Sequence, residues 1–300
     1  MAPVVTVVVV VFNSSSTLRA CLDSIPPDCE VVVVDQQSSD DSRKIACEAR
    51  PDATIVKAER NAGYSAGCNL GARLSRGGTL VFLNPDAVFC TPDGPHVLAS
   101  SAQARNALAA PIVIDPGRSD VTRVGKWSTP VSQVRRHLSL RRPETGFRNV
   151  SSGEYVIGPC LAVSAQNFRE IGGFDERFFL YREEETLARR LKGIGVGCFL
   201  EPHVTVSHVG GVSTSQVAEF AYRQVIRSEV LFYVLHFPKS AAALPALFLL
   251  TRLLVGSVAA PLLRHLGIRP KARPALWHLR AIPAVLSGWR AKPVEPPDLP

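Results

Sequence analysis

The segment from Val4 to Val11 is the feature that most constrains the fold of this 300-residue chain. It contains seven valines and one threonine, which favour a β-strand and leave neither side polar. A strand that is apolar on both sides must be covered on both sides, as in parallel sheets. No basic region precedes it, so we expect a buried strand rather than a secretory signal.

Strand and helix signals alternate through the first ninety residues. After Val4–Val11, strands are predicted at Glu30–Val34, Thr54–Lys57 and Thr79–Leu83, with segments of helical periodicity between them. Strands joined in this way run parallel, so we expect an α/β fold with a mostly parallel, Rossmann-like central sheet and helices on both faces. Ligands of such sheets bind at the carboxyl ends of the strands.

The middle of the chain is less regular. Residues 115–152 are polar, basic and contain Pro and Gly, so we expect a long loop region that could lie over the site. The other expected elements are a strand at Tyr155–Val163 interrupted at Gly158-Pro159, a short helix at Gln166–Ile171, closing strands at Gly197–Glu201 and Val204–Ser207, and a long helix at Val217–His236.

Basic charge is concentrated at the end of the chain. Residues 230–300 contain nine Lys or Arg and two acids, so they carry +7 of the net charge of +8. A basic, apolar segment suits an anionic membrane surface better than a nucleic acid. Ala241–Leu263 is long enough to span a bilayer, but Arg252 and two prolines interrupt it, so we expect an interfacial helical hairpin. A soluble helical subdomain or a dimerisation element is the alternative.

The seven cysteines show neither a CxxC pair nor metal-finger spacing. We therefore expect free thiols in a reducing cytoplasm, and no structural zinc site.

Three consecutive carboxylates, Glu183, Glu184 and Glu185, follow a Gly-Gly pair and the aromatic loop 178–181. Acids in the first turn of a helix are stabilised by its dipole, which is the simpler explanation. One of them could instead be a general base beside a substrate pocket.

Four other features could bind a nucleotide or a metal. Asp35 ends a predicted strand and could contact a ribose or a base, and Asp86 follows Pro85 where a carboxylate could bind a divalent cation. The loop Arg60–Asn69 has two glycines and leads into a helix whose start could face an anion. His208 could ligate a metal or contact a phosphate. Taken alone, an ordinary turn role explains Asp35 better and Asp86 equally well, a plain loop-to-helix turn also explains the glycine loop, and most lone histidines have neither role.

The order of these motifs resembles family 2 glycosyltransferases, in their rhamnosyltransferase-like branch, over roughly residues 4–236. The motifs are VVVVFNSSSTLRACLDSI, VVVVDQQSSDDS, RNAGYSAGCNLG, LVFLNPDAVF, GPCLAVSAQNFREIGGFDERFFLYREEETL and HVGGVS. The resemblance implies a GT-A fold, a nucleoside-diphosphate sugar donor, a divalent cation (Mg²⁺ or Mn²⁺) and inversion at the anomeric carbon.

The resemblance also implies roles for individual residues. Glu184 stands where the family has the Asp of its Glu-Asp pair, which supplies the base, and Glu183 stands at the Glu. Asp86 matches the last acid of the metal motif, and His208 matches a histidine that completes the metal or diphosphate site. The residues implied for nucleotide-sugar binding are Phe12, Asn13, Asp35, Arg60, Asn61, Gly63, Gly67, Asn69 and Asn84.

Two departures from the family pattern bear on activity. Gln36 follows Asp35 where the family commonly has Asn or Asp, and the acidic motif reads Glu183-Glu184-Glu185-Thr186 where the family commonly reads Glu-Asp-x-Asp. A glutamate base is chemically competent, but its carboxylate lies one methylene further from the backbone. A catalytically impaired, membrane-associated partner protein is therefore the alternative. A nucleotidyltransferase would need a Gly-rich, basic loop after the first strand, and residues 13–16 are not one.

The expected organisation has two parts. Residues 1–236 form the GT-A domain, with a nucleotide-sugar half at 1–110 and an acceptor and catalytic half at 150–236. Residues 237–300 form a helical tail that contacts the membrane. The expected donor is a dTDP- or UDP-sugar, such as rhamnose or a similar hexose, and the acceptor a lipid-linked glycan of the cell envelope. We expect a cytoplasmic protein, peripheral at the inner face of the membrane, with no nucleic-acid partner.

Overall fold

The structure, a computed structural model, describes residues 5–114, 123–138, 150–151, 153–210, 217–266 and 273–290. Within these ranges the strands are β1 Val5–Val11, β2 Glu30–Asp35, β3 Thr54–Lys57, β4 Thr79–Leu83, β5 Ala87–Phe89, β6 Ala107–Ile114, β7 Arg123–Lys126, β8 Glu154–Ile157, β9 Cys160–Ser164 and β10 Gly197–His208. The helices are α1 Leu18–Asp23, α2 Ser42–Ala49, α3 Tyr64–Leu74, α4 Gly94–Ala104, α5 Pro130–Leu138, α6 Ala165–Glu170, α7 Glu183–Gly193, α8 Ala218–His236, α9 Lys239–His265 and α10 Ala275–Arg290.

Eight of the described strands form one sheet in the order β3-β2-β1-β4-β9-β6-β10-β5. Strands β1 to β4 are parallel, β9 is antiparallel to β4 and β6, β10 is parallel to β6, and β5 is antiparallel to β10. Six strands therefore run in one direction, which confirms the expected mostly parallel sheet. A separate two-stranded sheet pairs β7 with β8.

Both faces of the central sheet are covered, as the valine run predicts. Val5, Val7, Val9 and Val11 of β1 pack into one core cluster with residues of α1, α2 and α4. Val8 and Val10 point to the opposite face and pack into a second cluster with residues of α3, α6 and α7. Burying each of these side chains contributes about 1.5–3 kcal/mol, so the run anchors both layers of helices.

Strand register brings the polar ends of three strands to one edge. Val11 pairs with Asp35, and Val9 pairs with Leu83. The chain therefore leaves the sheet at the same edge after β1, β2 and β4, close to Phe12, Gln36 and Asn84. The predicted positions of Asp35 and Asp86 at this edge are confirmed.

Two expectations about the elements were wrong. Residues 115–152 are not all loop, because β7 and α5 lie among them, while 115–122, 139–149 and 152 lie outside the described residues.

The two closing strands are one strand, β10, whose register shifts between Glu201 and Thr205. Pro202 lies in the shift, and it lacks the N–H that a continuous ladder requires. The break at Gly158-Pro159 does occur, and it separates β8 from β9.

The last three helices form an appendage with a core of its own. Tyr222, Ile226 and Val230 of α8 pack against α9 and α10 residues such as Leu249, Leu253 and Val285. Within α9, Lys239–Ala259 is long and apolar enough to cross a membrane by length and composition, and 28% of its most apolar window is buried in the protein. That finding is weak evidence for a span, since core helices of soluble proteins pass the same test.

Candidate active site

A cleft of about 960 Å³ opens at the carboxyl edge of the sheet. Its walls come from the ends of β1, β2, β4 and β10, from the start of α3, from the segment that leads into α7, and from α8. The predicted site residues that line it are Phe12, Asn61, Gly63, Asn84, Asp86, Glu183, Glu184 and His208. Asn13, Asp35, Arg60, Gly67 and Asn69 are not among the lining residues.

Asn13 and Asp35 tie the first two loops of the sheet edge together. The N–H of Asn13 donates to Ser38 Oγ at 3.0 Å, and Asn13 Oδ1 accepts from the N–H of Ser39 at 2.8 Å. The buried Asp35 carboxylate accepts from the N–H of Ser38 at 2.8 Å. These bonds shape the rim of the cleft, and direct nucleotide contact by either residue stays a prediction, as it does for the exposed Arg60.

Gln36, which follows β2, holds the 60–69 loop against the sheet through two hydrogen bonds. Its Oε1 accepts from the N–H of Ala62 at 2.9 Å, and its Nε2 donates to the carbonyl of Gly63 at 3.2 Å. The side chain is buried, so both ends of the amide are used where no water competes. This departure from the family pattern thus has a structural role at the cleft.

Because they lack side chains, the two glycines of the 60–69 loop allow neighbouring protein segments to approach the loop backbone closely. Gly63 has φ +92°, and a Cβ there would lie 2.4 Å from the carbonyl oxygen of Phe179. A Cβ on Gly67 would lie 2.6 Å from both Gln36 Nε2 and Val10 Cγ1, so this glycine lets α3 pack on the sheet.

Asn69, like Gly67, has a structural role. Its Nδ2 donates to the carbonyl of Phe174 at 2.9 Å, and its Oδ1 accepts from the N–H of Phe174 at 2.9 Å. It therefore holds the Gly-Gly turn that precedes the aromatic loop.

The start of α7 is held in an unusual backbone conformation. Tyr181 and Arg182 both have φ of 70°, in the left-handed region, which costs non-glycine residues about 1–2 kcal/mol each. Arg182 forms ion pairs with Glu185 at 2.6 Å and with Glu229, and its Nη1 donates to Ser128 Oγ at 2.8 Å. Hydrogen bonds between charged groups contribute about 1.5–3 kcal/mol each, enough to hold this turn.

Glu185 is a structural residue, which reduces the three candidate bases to two. Its side chain is 1% exposed. It accepts hydrogen bonds from the Ser128 N–H at 2.7 Å, Ser128 Oγ at 2.8 Å, Tyr155 Oη at 3.2 Å and Arg182 Nη1 at 2.6 Å, and pairs with Arg189 at 3.1 Å. A carboxylate so fully bonded is not available as a base.

Glu183 and Glu184 both line the cleft from the first turn of α7. Burial raises the pKa of Glu183 above the ordinary glutamate range, and Glu183 Oε2 is buried without a hydrogen-bond partner. The pKa of Glu184 is raised first by burial and then by the neighbouring charge of Glu183. Two carboxyl groups that resist simultaneous ionisation are suited to taking up a proton near neutral pH.

Thr186, where the family commonly has a second aspartate, lies outside the cleft. It is buried, and its Oγ1 is 3.4 Å from His236 Nε2. The missing acid therefore does not change the lining of the site.

Asp86 and His208 meet because β5 pairs with the end of β10, with Ala87 opposite His208. His208 Nε2 lies 3.1 Å from Asp86 Oδ1. The His208 side chain is 25% exposed, and the Asp86 side chain is 11% exposed. Mg²⁺ or Mn²⁺ at phosphate sites uses one or two carboxylates with waters and substrate oxygens, so the Asp86 carboxylate is the ligand type that such an ion prefers, and the imidazole of His208 lies beside it. Asn84 shapes the turn, with its N–H donating to the carbonyl of Pro159 at 2.7 Å.

Part of the cleft wall comes from α8, and the sequence analysis did not identify its residues as part of the site. Phe220 of α8 packs edge-on against Phe179 with ring centroids 5.2 Å apart, and both line the cleft. Gln224, one helical turn later, also lines it, and its Oε1 is buried without a hydrogen-bond partner. Helical periodicity predicted α8, but no local pattern indicates that its first turns face a site.

Comparison with known proteins shows the family and the fold of the chain. The model of the family "Glycosyl transferase family 2" matches residues 6–171, which excludes α7 and His208. The low-salt glycan biosynthesis hexosyltransferase Agl10 of Haloferax volcanii is 27% identical over 184 residues, covering 59% of this chain and 58% of that protein. The chain thus matches little more than half of this relative's length.

Two further proteins are similar over more of their length. The N-acetylglucosaminyl-diphospho-decaprenol L-rhamnosyltransferase of Mycobacterium tuberculosis is 26% identical over 253 residues, covering 72% of this chain and 79% of that protein. The mannosyltransferase PcManGT of Pyrobaculum calidifontis, solved with GDP-Man and Mn²⁺, superposes with a TM-score of 0.55 at 16% identity, covering 97% of this chain and 89% of that one. This last likeness concerns the fold alone, and it confirms the expected GT-A architecture.

Proposed function

The chain belongs to glycosyl transferase family 2, and from this premise we propose that it transfers a hexosyl group from a nucleoside-diphosphate sugar to an acceptor hydroxyl, with inversion. The observation that carries the proposal is the cleft itself, where two carboxyl groups of raised pKa share the lining with Asp86 and His208. A proton acceptor and a cation-binding pair in one cleft are the groups that such a transfer needs.

Glu184 is the proposed base. It removes the proton from the acceptor hydroxyl as that oxygen bonds to the anomeric carbon, and the bond to the diphosphate breaks on the opposite side. The proton ends on Glu184, and the electron pair leaves with the diphosphate. General-base catalysis of this kind contributes about 10²–10⁴-fold. Burial raises the pKa of Glu184 most, and the charge of Glu183 beside it raises that pKa further, which suits Glu184 to taking up a proton.

Asp86 and His208 are the proposed cation ligands. A bound Mg²⁺ or Mn²⁺ would neutralise the charge that develops on the leaving diphosphate. The donor is proposed to be a dTDP- or UDP-sugar, with rhamnose or a similar hexose, since one relative is named as an L-rhamnosyltransferase. Phe12, Asn61 and Gly63 line the cleft and would contact it.

A lipid-linked glycan of the cell envelope is the proposed acceptor class. One relative is named for a decaprenol-linked substrate. The exposed apolar residues of the appendage, together with its basic charge, support a peripheral position at the cytoplasmic face of the membrane. In this arrangement α8 connects the membrane-facing helices to the wall of the cleft.

A thermal-shift screen of the purified chain with dTDP-, UDP- and GDP-sugars, with and without Mn²⁺ or Mg²⁺, tests donor binding. We expect one nucleotide class to raise the melting temperature only when the cation is present, and Asp86→Ala to abolish that rise. Mass spectrometry of the same mixtures with a polyprenyl-diphosphate-linked sugar then tests transfer. Donor binding without transfer or donor hydrolysis would indicate the catalytically impaired partner protein instead.

A further inference from the structure

Asp28, Cys29 and His96 form a cluster outside the cleft. Within the described part of the chain it is the one group of three metal-ligating side chains whose ligand atoms lie within 4.8 Å of one another. None of the three lines the cleft. We propose that these residues bind Zn²⁺ or a similar borderline divalent transition-metal cation, in a site independent of the proposed glycosyl transfer.

The distances within the cluster are close to those between the ligands of a tetrahedral zinc ion. His96 Nε2 lies 3.6 Å from Cys29 Sγ, and 3.2 and 3.1 Å from the two carboxylate oxygens of Asp28. Tetrahedral Zn–S and Zn–N bonds separate sulfur from nitrogen by about 3.6 Å, and Zn–N and Zn–O bonds separate nitrogen from oxygen by about 3.4 Å. Small side-chain rotations would therefore complete the three-ligand set.

Local structure holds the ligands in place before any metal binds. Asp28 and Cys29 end a tight turn in which the Cys29 N–H donates to the carbonyl of Pro26 at 3.2 Å. His96 lies in the first turn of α4, directly after Pro95. Because Cys29 and His96 are 67 residues apart, no spacing in the sequence could indicate the site.

Access and charge also suit a cation. The side chains of Asp28 and His96 are 72% and 32% exposed, so a metal can enter from solvent and keep a water as its fourth ligand. Cys29 itself is buried, Asp28 and Asp93 place negative charge near its thiol, and the nearby Arg50 is ion-paired with Asp52 at 2.8 Å. Nitrogen and sulfur ligands favour zinc-like cations over Mg²⁺, and binding releases the thiol proton.

Cobalt titration of the full-length, chelator-treated chain tests the site. We expect one equivalent of Co²⁺ to produce a thiolate-to-metal charge-transfer band that Zn²⁺ then removes. Cys29→Ser should abolish the band, and the surface change His96→Gln should weaken binding at least tenfold. Cys90→Ser and His203→Ala, which alter residues outside the cluster, should leave the band unchanged.

No charge-transfer band in the wild-type chain would overturn the proposal, and so would a band that survives Cys29→Ser. Loss of the band in Cys90→Ser instead would assign the thiolate elsewhere. Transfer activity is measured in parallel. Metal binding that persists in a Glu184→Gln chain without activity, or activity that persists without metal binding here, separates this inference from the proposed function.

Discussion

Glu183 and Glu184 are adjacent in the sequence, and their acid–base chemistry belongs to the pair. Both face one cleft, burial raises the pKa of each, and the charge of Glu183 raises the pKa of Glu184 further. Glu185, the next residue, points into a cluster of arginine, serine and tyrosine donors. Three identical residues in one helical turn therefore lie in two different environments, the cleft and a buried network of donors.

The pH dependence of transfer follows from the pair. The base must be ionised, so kcat/KM should rise with pH through a limb well above the ordinary glutamate pKa of about 4.3. Glu183→Gln removes the like charge and should move this limb to lower pH. Burial keeps the limb above the ordinary value. A pH–rate profile that is identical in wild type and Glu183→Gln would contradict the coupling.

Glu185→Gln should destabilise the chain strongly. The change removes a buried charge that pairs with Arg182 and Arg189, while Arg182 keeps its pair with Glu229, so we expect a loss of about 1–3 kcal/mol. Urea unfolding measures the loss. Glu170→Gln, an exposed change on α6, is the matched control and should stay within about 0.5 kcal/mol of wild type. Equal stability of the two variants would refute the structural role of Glu185.

At the scale of elements, hydrogen bonds connect the loops that form the cleft. Gln36 bonds to the 60–63 loop, and the N–H of Tyr64 donates to the carbonyl of Phe179 at 2.8 Å. These hydrogen bonds connect the start of α3 to the segment leading into α7. They hold the two walls of the cleft in contact with each other.

Gly63→Ala tests that contact. The new Cβ would collide with the backbone of Phe179, and the φ of +92° disfavours any side chain. We expect a loss of more than about 1 kcal/mol in stability and a clear loss of donor affinity. Gly197→Ala, where no atom lies within 4 Å of the added carbon, is the control. Calorimetry that gives equal donor affinity for both variants would disprove the contact's importance.

Local patterns predicted the elements well and the site in part. The valine run and the alternation of strands and helices predict the parallel half of the sheet. The positions of Asp86 and His208 near the ends of strands indicate that they are candidate site residues. Gln36, Phe220 and Gln224 were not predicted, because their place in the cleft depends on contacts between distant segments. Gly67 and Asn69, predicted on a motif to bind nucleotide, pack against the protein outside the cleft lining, and nucleotide contact by either stays a prediction. The register shift at Pro202 likewise depends on the neighbouring strand.

At the scale of the whole molecule, the appendage presents apolar surface away from its core. Leu247, Leu254 and Val258 share one face of α9 and are 63%, 49% and 76% exposed. The same helix is apolar enough to qualify as a membrane span by composition. The predicted boundary at residue 236 stays a prediction, since α8 contacts the cleft and also packs on α9 and α10.

Membrane contact through this face is testable without truncation. The full chain should float with vesicles that contain phosphatidylglycerol, and a Leu247→Glu and Val258→Glu double variant should lose most of that binding. The control is Leu74→Glu with Ile194→Glu, which alters exposed apolar residues on α3 and at the end of α7. A wild-type chain that stays unbound, or a double variant that floats as well as the control, would rule out this surface.

The most direct test of the account is the rate of sugar transfer by Glu184→Gln, measured beside its affinity for donor and cation. We predict unchanged donor affinity and a kcat lower by about 10²–10⁴-fold, because the amide cannot accept the acceptor proton. Full turnover by this variant, with the loss found in Glu183→Gln instead, would contradict the assignment of Glu184 as the base.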